Sequence, residues 1–369
     1  MNICIESHVL NHHRRSGLMT YTEGLVYGMQ QLDQENQYSL AYYSLSRKAQ
    51  EMPGPSGGNF RKVVLKIPDT EFQGRQWILD HITLPVFFKS NKINIFHRTS
   101  GYTMPTTKGV FRVLTVHDLR TLTIGDKVWA QNVENYKKTI KALNVCVVVS
   151  ECTKKDLIEL LGINENKIKV IHLGADKRFK PASEEEIQKL RNKYQLNNPY
   201  LLSLGSVPRK NIDGIIRGFA FSKASKHTTL VLSCNYDIDK YTALAKSLNV
   251  GSQIKILDQL KDDEIVSLYS GCQAFVFPSL YEGFGLPILE AFQCQVPVIT
   301  SNISSCPEVA GNAALLVDPH KPNEIAEAID QICSDTTLRN LLIEKGVERS
   351  KLFNWNVYAQ EIKKIYSMA

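Results

Sequence analysis

Short apolar runs alternate with longer amphipathic stretches along most of this chain. In the second half the runs are YLLSLGS (200–206), TTLVLSC (228–234), QIKIL (253–257), AFVFPS (274–279), PVITSN (297–302) and ALLVDP (314–319). Between them lie helical patterns such as IDGIIRGFAFSKA (212–224), KYTALAKSL (240–248) and DDEIVSLYSGC (262–272), and a further helix is expected over 322–333. Short strands separated by helices of ten or more residues predict a doubly wound parallel sheet. Parallel strands are covered on both faces, which is why these runs are apolar throughout instead of alternating.

The first half repeats the grammar less cleanly, in MNICIES (1–7), YSLAYYSL (38–45), RKVVLKI (61–67), INIFHR (93–98), FRVLTVHD (111–118), VCVVVSE (145–151) and IKVIHLG (168–174). MPGPSGGN (52–59) reads as a loop on Pro and Gly content. The boundary between two such sheets is expected near 175–198, where DKRFKPASEEE reads as a surface connection into a short helix. FNWNVYAQEIKKIYSMA (353–369) has the pattern of an amphipathic helix. Two sheets of this kind predict a cleft, with ligands at the carboxyl ends of strands.

The segment SLYEGFGLPILEAF (279–292) leaves one of those ends. Gly283 and Gly285 permit backbone angles closed to other residues and let a ligand approach the main chain. Pro287 suits a first helical turn, so the amides of about residues 284–286 become an anion cradle at the positive end of the helix dipole. Glu282 falls before that helix and Glu290 about one turn inside it, two acceptor-only groups suited to sugar hydroxyls. A sugar attached to phosphates satisfies both features. An ordinary loop–helix junction, with Glu290 complementing the dipole, also accounts for them.

VPRKN (207–211) leaves another strand, with Asn211 positioned to cap the next helix and Arg209 and Lys210 suited to a diphosphate. Two solvated surface cations are the alternative. Gly17, in RRSGLMTYTEGL (14–25), opens a helix after the first strand without a full GxGxxG. His117 ends FRVLTVHDL (111–119), where a histidine can donate to a sugar or phosphate oxygen or serve the core.

Composition narrows the setting. The eight cysteines include no CxxC pair, which argues against a zinc site or disulfide scaffold and for a reducing compartment. MNICIESHVL lacks a basic n-region and no run approaches a membrane span, so a cytoplasmic location is expected. The net charge of +7 lies wholly in residues 1–175, with 22 Lys/Arg against 15 Asp/Glu, while the remainder holds 22 of each. Such a half either keeps the chain soluble or faces a polyanion, a membrane surface or a phosphate-bearing substrate.

Taken in order, SGLMTYTEGL, TVHDL, VSECTKKDL, VIHLGAD, LLSLGSVPRKN, FVFPSLYEGFGLPILEAF and PVITSNISSCPEVAGNAALLVDP resemble the family 4 retaining glycosyltransferases of GT-B architecture. The resemblance covers nearly the whole chain, and YEGFGLPILEAF matches the family's E-x7-E signature. It implies two Rossmann-like domains facing a cleft: an acceptor domain over 1–175, with the helix of about 353–369 packing back on it, and a nucleotide-sugar domain over 176–352. By the same resemblance Glu290 would accept from the ribose hydroxyls and Glu282 would contact the donor sugar. Gly283, Phe284, Gly285 and Leu286 would surround sugar and diphosphate, Arg209 and Lys210 would hold the diphosphate, Gly17 would approach it, and His117 would lie near the transferred sugar. Cys234 and Asp258 stand where the family usually has glycines, which bears on base recognition.

The implied reaction is hexose transfer with retention, from GDP-mannose or alternatively a UDP-hexose, to a glycan or lipid-linked oligosaccharide of the surface-polysaccharide (O-antigen or capsule) type. A nucleotide-sugar 2-epimerase shares the architecture and needs no acceptor. No cofactor, metal or nucleic-acid partner is expected, because Arg209 and Lys210 can neutralise a leaving diphosphate and no DxD-like pair ends a strand. Loops 50–60 and 68–76 are expected to shape the acceptor pocket, and the basic first half to meet the inner face of the cell membrane.

Overall fold

The computed structural model describes the chain apart from residues 13–14, 68–73, 120–132, 206 and 259. Most of the 68–76 loop expected to shape the acceptor pocket therefore lies outside the described residues. Two compact units divide the chain: Met1–Gly174 with Asn354–Ala369, and Ala175–Phe353.

In the first unit seven strands pair in the order β3-β2-β1-β4-β5-β6-β7. They are β1 (Asn2–Glu6), β2 (Gln37–Tyr43), β3 (Phe60–Leu65), β4 (Ile95–Arg98), β5 (Phe111–Val116), β6 (Val145–Val148) and β7 (Ile168–Val170). The second unit holds six, in the order β10-β9-β8-β11-β12-β13: β8 (Tyr200–Leu204), β9 (Thr229–Ser233), β10 (Ile254–Leu257), β11 (Ala274–Phe277), β12 (Val298–Ser301) and β13 (Ala314–Val317). Every pairing is parallel. VCVV of β6 and AFVF of β11 are buried at all positions, the signature of strands covered on both faces. Strand order reverses between β1 and β4 and again between β8 and β11, and in such sheets ligands sit beyond the carboxyl ends at that reversal.

The Trp355–Tyr366 helix belongs to the first unit and lies along the Gly17–Leu32 helix. Close approach is possible because two glycines one turn apart face it. A Cβ on Gly24 would sit 2.2 Å from the Trp355 ring, and one on Gly28 would sit 2.9 Å from Ala359 Cβ. Gly174 completes the slot, since its Cβ would come 2.4 Å from Trp355. Buried hydroxyls then fix the register: Tyr358 donates to the Tyr21 hydroxyl at 2.9 Å, and the Tyr366 hydroxyl meets His97 Nδ1 at 2.7 Å. Burial holds the His97 pKa down to about 3, so the ring is neutral and the network needs no counter-charge.

The Thr336–Lys351 helix was not foreshadowed by any apolar stripe. It has little amphipathicity and lies against the Leu286–Gln293 helix where Gly346 abuts the Phe292 ring.

Candidate functional site

In the second unit the loops after β8 and β11 meet because those strands are neighbours, with Leu201 opposite Ala274 and Leu202 opposite Phe275. Gly205 ends β8 with no side chain, and a Cβ there would stand 2.3 Å from the Lys210 stem. Pro208–Lys210 makes one 3-10 turn, closed by Asn211 in the left-handed region (φ 59°). Asn211 Oδ1 caps the Ile212–Phe221 helix through the Gly214 amide, as the sequence suggested. Its Nδ2 donates to the carbonyls of Pro278 (3.0 Å) and Pro319 (2.7 Å), tying together the loops after β8, β11 and β13. The Leu280 amide (2.8 Å) and Ser279 Oγ (2.9 Å) both donate to the Arg209 carbonyl. This stitching sets Arg209 and Lys210 against Glu282.

Lys210 Nζ lies 2.6 Å from Glu282 Oε1 and 4.3 Å from the centre of the Phe277 ring. Arg209 Nη1 lies 2.5 Å from Glu282 Oε2 and donates to the Tyr281 carbonyl at 3.1 Å. Ser279 Oγ lies 2.6 Å from Oε1, so its one hydrogen is shared between Oε1 and the Arg209 carbonyl. Glu282 is only 5% exposed. Burial alone would raise its carboxyl pKa, but the Lys210 and Arg209 charges and the bonds from Lys210 and Ser279 outweigh this and hold it low. One buried carboxylate therefore faces two half-buried cations, a local surplus of one positive charge. Arg209 Nε is also buried without a hydrogen-bond partner. A cation surplus drawn partly out of water, with a buried spare donor, is costly unless an anion completes it.

Beside this cluster the Leu286–Gln293 helix starts after Gly285 in a positive-φ conformation (105°), with Pro287 in its first turn. Ser305 Oγ shares its one hydrogen between the carbonyls of Glu282 (2.9 Å) and Phe284 (2.8 Å). A trans peptide holds N–H opposite its C=O, so the amides of Gly283 and Gly285 point away from Ser305. First-turn amides such as that of Leu286 have no carbonyl within the helix, which makes this an anion-accepting end.

Glu290 stands on that helix, half-buried, and accepts from the Tyr269 hydroxyl at 3.1 Å. Burial pushes its carboxyl up to about 7, against the lowering effect of Tyr269 and the Arg178 charge. Tyr269 is a neighbour of Glu290 that the sequence did not single out, because a tyrosine in EIVSLYSG reads as core. Of the two departures from the family pattern, Cys234 is buried with its thiol bonded to the Tyr236 carbonyl (3.2 Å), and Asp258 is exposed.

The remaining expected residues belong to the first unit. Gly17 is exposed and begins the Gly17–Leu32 helix after β1, with Ser16 as cap. His117 follows β5 and donates from Nε2 to the Thr99 carbonyl at 2.9 Å, its ring edge-on to Tyr21 at 4.5 Å. Burial lowers its pKa, so the imidazole is neutral at pH 7. With Nε2–H committed to Thr99, Nδ1 is an acceptor. In this tautomer the ring has no N–H left to donate elsewhere, contrary to the expectation of a donating histidine. Among the described residues no group of three His, Cys, Asp or Glu side chains could hold a metal ion, and no helix is long and apolar enough to cross a membrane.

Residues 17–179 match the family described as Glycosyltransferase Family 4, and residues 184–349 match Glycosyl transferases group 1. O-antigen chain mannosyltransferase B of Escherichia coli is 31% identical over 253 residues, 66% of this chain and 66% of that protein. The serotype-specific mannosyltransferase WbdA of Escherichia coli is 30% identical over 257 residues, again 66% of this chain but 32% of WbdA, so the match spans about a third of that relative. Among solved structures, sucrose-phosphate synthase from Thermosynechococcus elongatus superposes with a TM-score of 0.78 at 20% identity, covering 100% of this chain and 98% of that one. That likeness is one of fold, the GT-B architecture.

Proposed function

The chain belongs to the family 4 glycosyltransferases, and on that premise we propose that it moves a hexose from a nucleotide sugar to a glycan or lipid-linked oligosaccharide with retention of configuration. The observation that carries this reading is the half-buried cation surplus at Arg209 and Lys210, beside an amide-lined helix start and within one unit with Glu290. A diphosphate supplies the missing anion and accepts from Arg209 Nε. Its ribose diol gives Glu290 two hydroxyl donors, and Glu282 keeps one lone pair on Oε2 for a hydroxyl of the sugar.

The chemistry needs little more than charge stabilisation. As the glycosidic bond breaks, negative charge grows on the diphosphate, and Arg209 and Lys210 stabilise it without a metal ion. The leaving phosphate takes the proton of the incoming hydroxyl on the same face of the sugar, which retains configuration. His117 Nδ1 accepts from a hydroxyl of the transferred hexose.

We favour GDP-mannose as donor and an O-antigen-type polysaccharide as product, since the relatives named above are mannosyltransferases, one of them of the O-antigen chain. Thermal unfolding in GDP and in UDP tests this. A nucleotide present at about 100 times its dissociation constant stabilises by about 2.7 kcal/mol. GDP should raise the midpoint at lower concentration than UDP. The reverse order would reassign the donor to a UDP-hexose, and no shift with either would remove the nucleotide-sugar reading.

The acceptor points to a membrane surface, which we place at the cytoplasmic face. Trp77, Ile82 and Val86 are 58%, 49% and 64% exposed on the helical stretch 75–90, which carries Lys89 and is followed by Lys92. Arg61 reaches the same end through Asn91. Exposed apolar residues beside cations, on the half that holds the whole charge excess, suit anionic lipid. Co-sedimentation with phosphatidylglycerol vesicles should fall about tenfold on replacing Trp77 and Val86 by serine. Equal sedimentation of the variant would remove this surface from the reading.

A further inference from the structure

Tyr269 has no part in the reading so far, yet it is wholly buried and its hydroxyl is aimed at Glu290. Its ring is held edge-on by Phe179 (5.8 Å) and Phe275 (5.1 Å), so the hydroxyl cannot swing away. The single hydroxyl hydrogen is shared between Glu290 Oε2 at 3.1 Å and the Pro287 carbonyl at 3.4 Å. It thereby spans the first turn of the helix and the carboxylate one turn on. Glu290 itself is half-buried and has no cation at salt-bridge distance among the described residues, unlike Glu282.

We propose that Tyr269 is a positioning residue for nucleotide binding: it fixes the Glu290 carboxylate as the acceptor of the ribose diol, and through it binding is linked to a proton. This rests on the assignment of Glu290 to the ribose. A vicinal diol offers two donors, and an ionised carboxylate accepts both, whereas a protonated one loses charge and an acceptor position. The groups facing Glu290 are Tyr269 from the Ile265–Ser270 helix, Arg178 and Asp176 from the segment after β7, Lys210 from the turn after β8, and Cys294 at the end of its own helix. Arg178 is paired to Asp176 at 2.9 Å, so its charge is already shared. Tyr269 is the neutral donor that favours the ionised form directly.

The sign follows from the geometry and the raised carboxyl, at about 7. A carboxylate that must be charged to bind gives affinity that is full above that value and declines as pH falls through it. The diphosphate's own second ionisation, near 6 for a phosphate ester, titrates in the same range, so a Glu290→Gln variant supplies the baseline.

The experiment is calorimetric titration of the full chain with GDP and with UDP between pH 5.5 and pH 8.5, in roughly half-unit steps across the two ionisations. Wild type should lose affinity below neutrality more steeply than Glu290→Gln. Tyr269→Phe keeps the ring packing and removes only the donor. Its midpoint should move up by about half a unit to one unit, with affinity at neutral pH down by about three- to tenfold. A Tyr269→Phe profile that superposes on wild type, while Glu290→Gln is weakened, overturns the role of Tyr269 and leaves the ribose assignment standing. Glu290→Gln binding as tightly as wild type at pH 8.5 overturns both.

Discussion

Replacing Lys210 with alanine is expected to lower the rate of sugar transfer by about 10²–10³-fold, the usual consequence of deleting one group that stabilises developing negative charge. The effect should be large because Lys210 is desolvated, lying 2.6 Å from Glu282 and over the Phe277 ring, so its field is weakly screened. The same change disturbs folding, since removing one partner of a buried pair costs about 3–5 kcal/mol when nothing else compensates. Arg209 still faces Glu282, which places the loss toward the low end of that range. The two contributions separate in Lys210→Met, which keeps a side chain of similar length beside the Phe277 ring and leaves Glu282 paired with Arg209. It should melt closer to wild type than Lys210→Ala while transfer stays depressed. A single variant that transfers within about threefold of wild type would show that the diphosphate is stabilised elsewhere.

The second large effect concerns stability. Gly24→Val places branched carbon where the Trp355 ring already lies 2.2 Å from the position of a Cβ, and neither the helix backbone nor the indole can yield by that much. Overpacking of this kind costs about 3 kcal/mol or more, so the first unit should melt roughly 6–12 °C lower. Amide protection across Trp355–Tyr366 should collapse with it. Gly24→Ala should act in the same direction with a smaller fall. A Gly24→Val protein melting within a degree of wild type would mean that the last helix is not seated as described.

The strands among the described residues were legible because they are short and mostly apolar, the central ones such as β6 and β11 being covered on both faces, and the helix start at Gly285 and Pro287 was legible because backbone chemistry there is local. The pairing of Glu282 with Arg209 and Lys210 was not. The partners are more than seventy residues apart, and they meet only because β8 lies beside β11 and not beside β10. That both segments leave carboxyl ends on one sheet edge could be read from the strands before them, but the ion pairs themselves have no mark in chain order. Tyr269 was hidden for a different reason: a buried aromatic on an apolar helix face looks the same whether or not its hydroxyl has a task. The Thr336–Lys351 helix escaped because it is polar on most sides and owes its place to contacts such as Gly346 against Phe292. His117 was singled out by its place at a strand end, but its tautomer depends on the Thr99 carbonyl, which arrives just after the neighbouring β4.

The helix that closes the Gly24 slot is translated after the whole of Ala175–Phe353. On the ribosome the second unit therefore emerges complete, while the nascent first unit waits with an uncovered groove. At about 5–20 residues per second that wait lasts roughly 10–40 seconds. During this interval Tyr21 and His97 lack the hydroxyls of Tyr358 and Tyr366, so the first sheet matures last although its strands are made first.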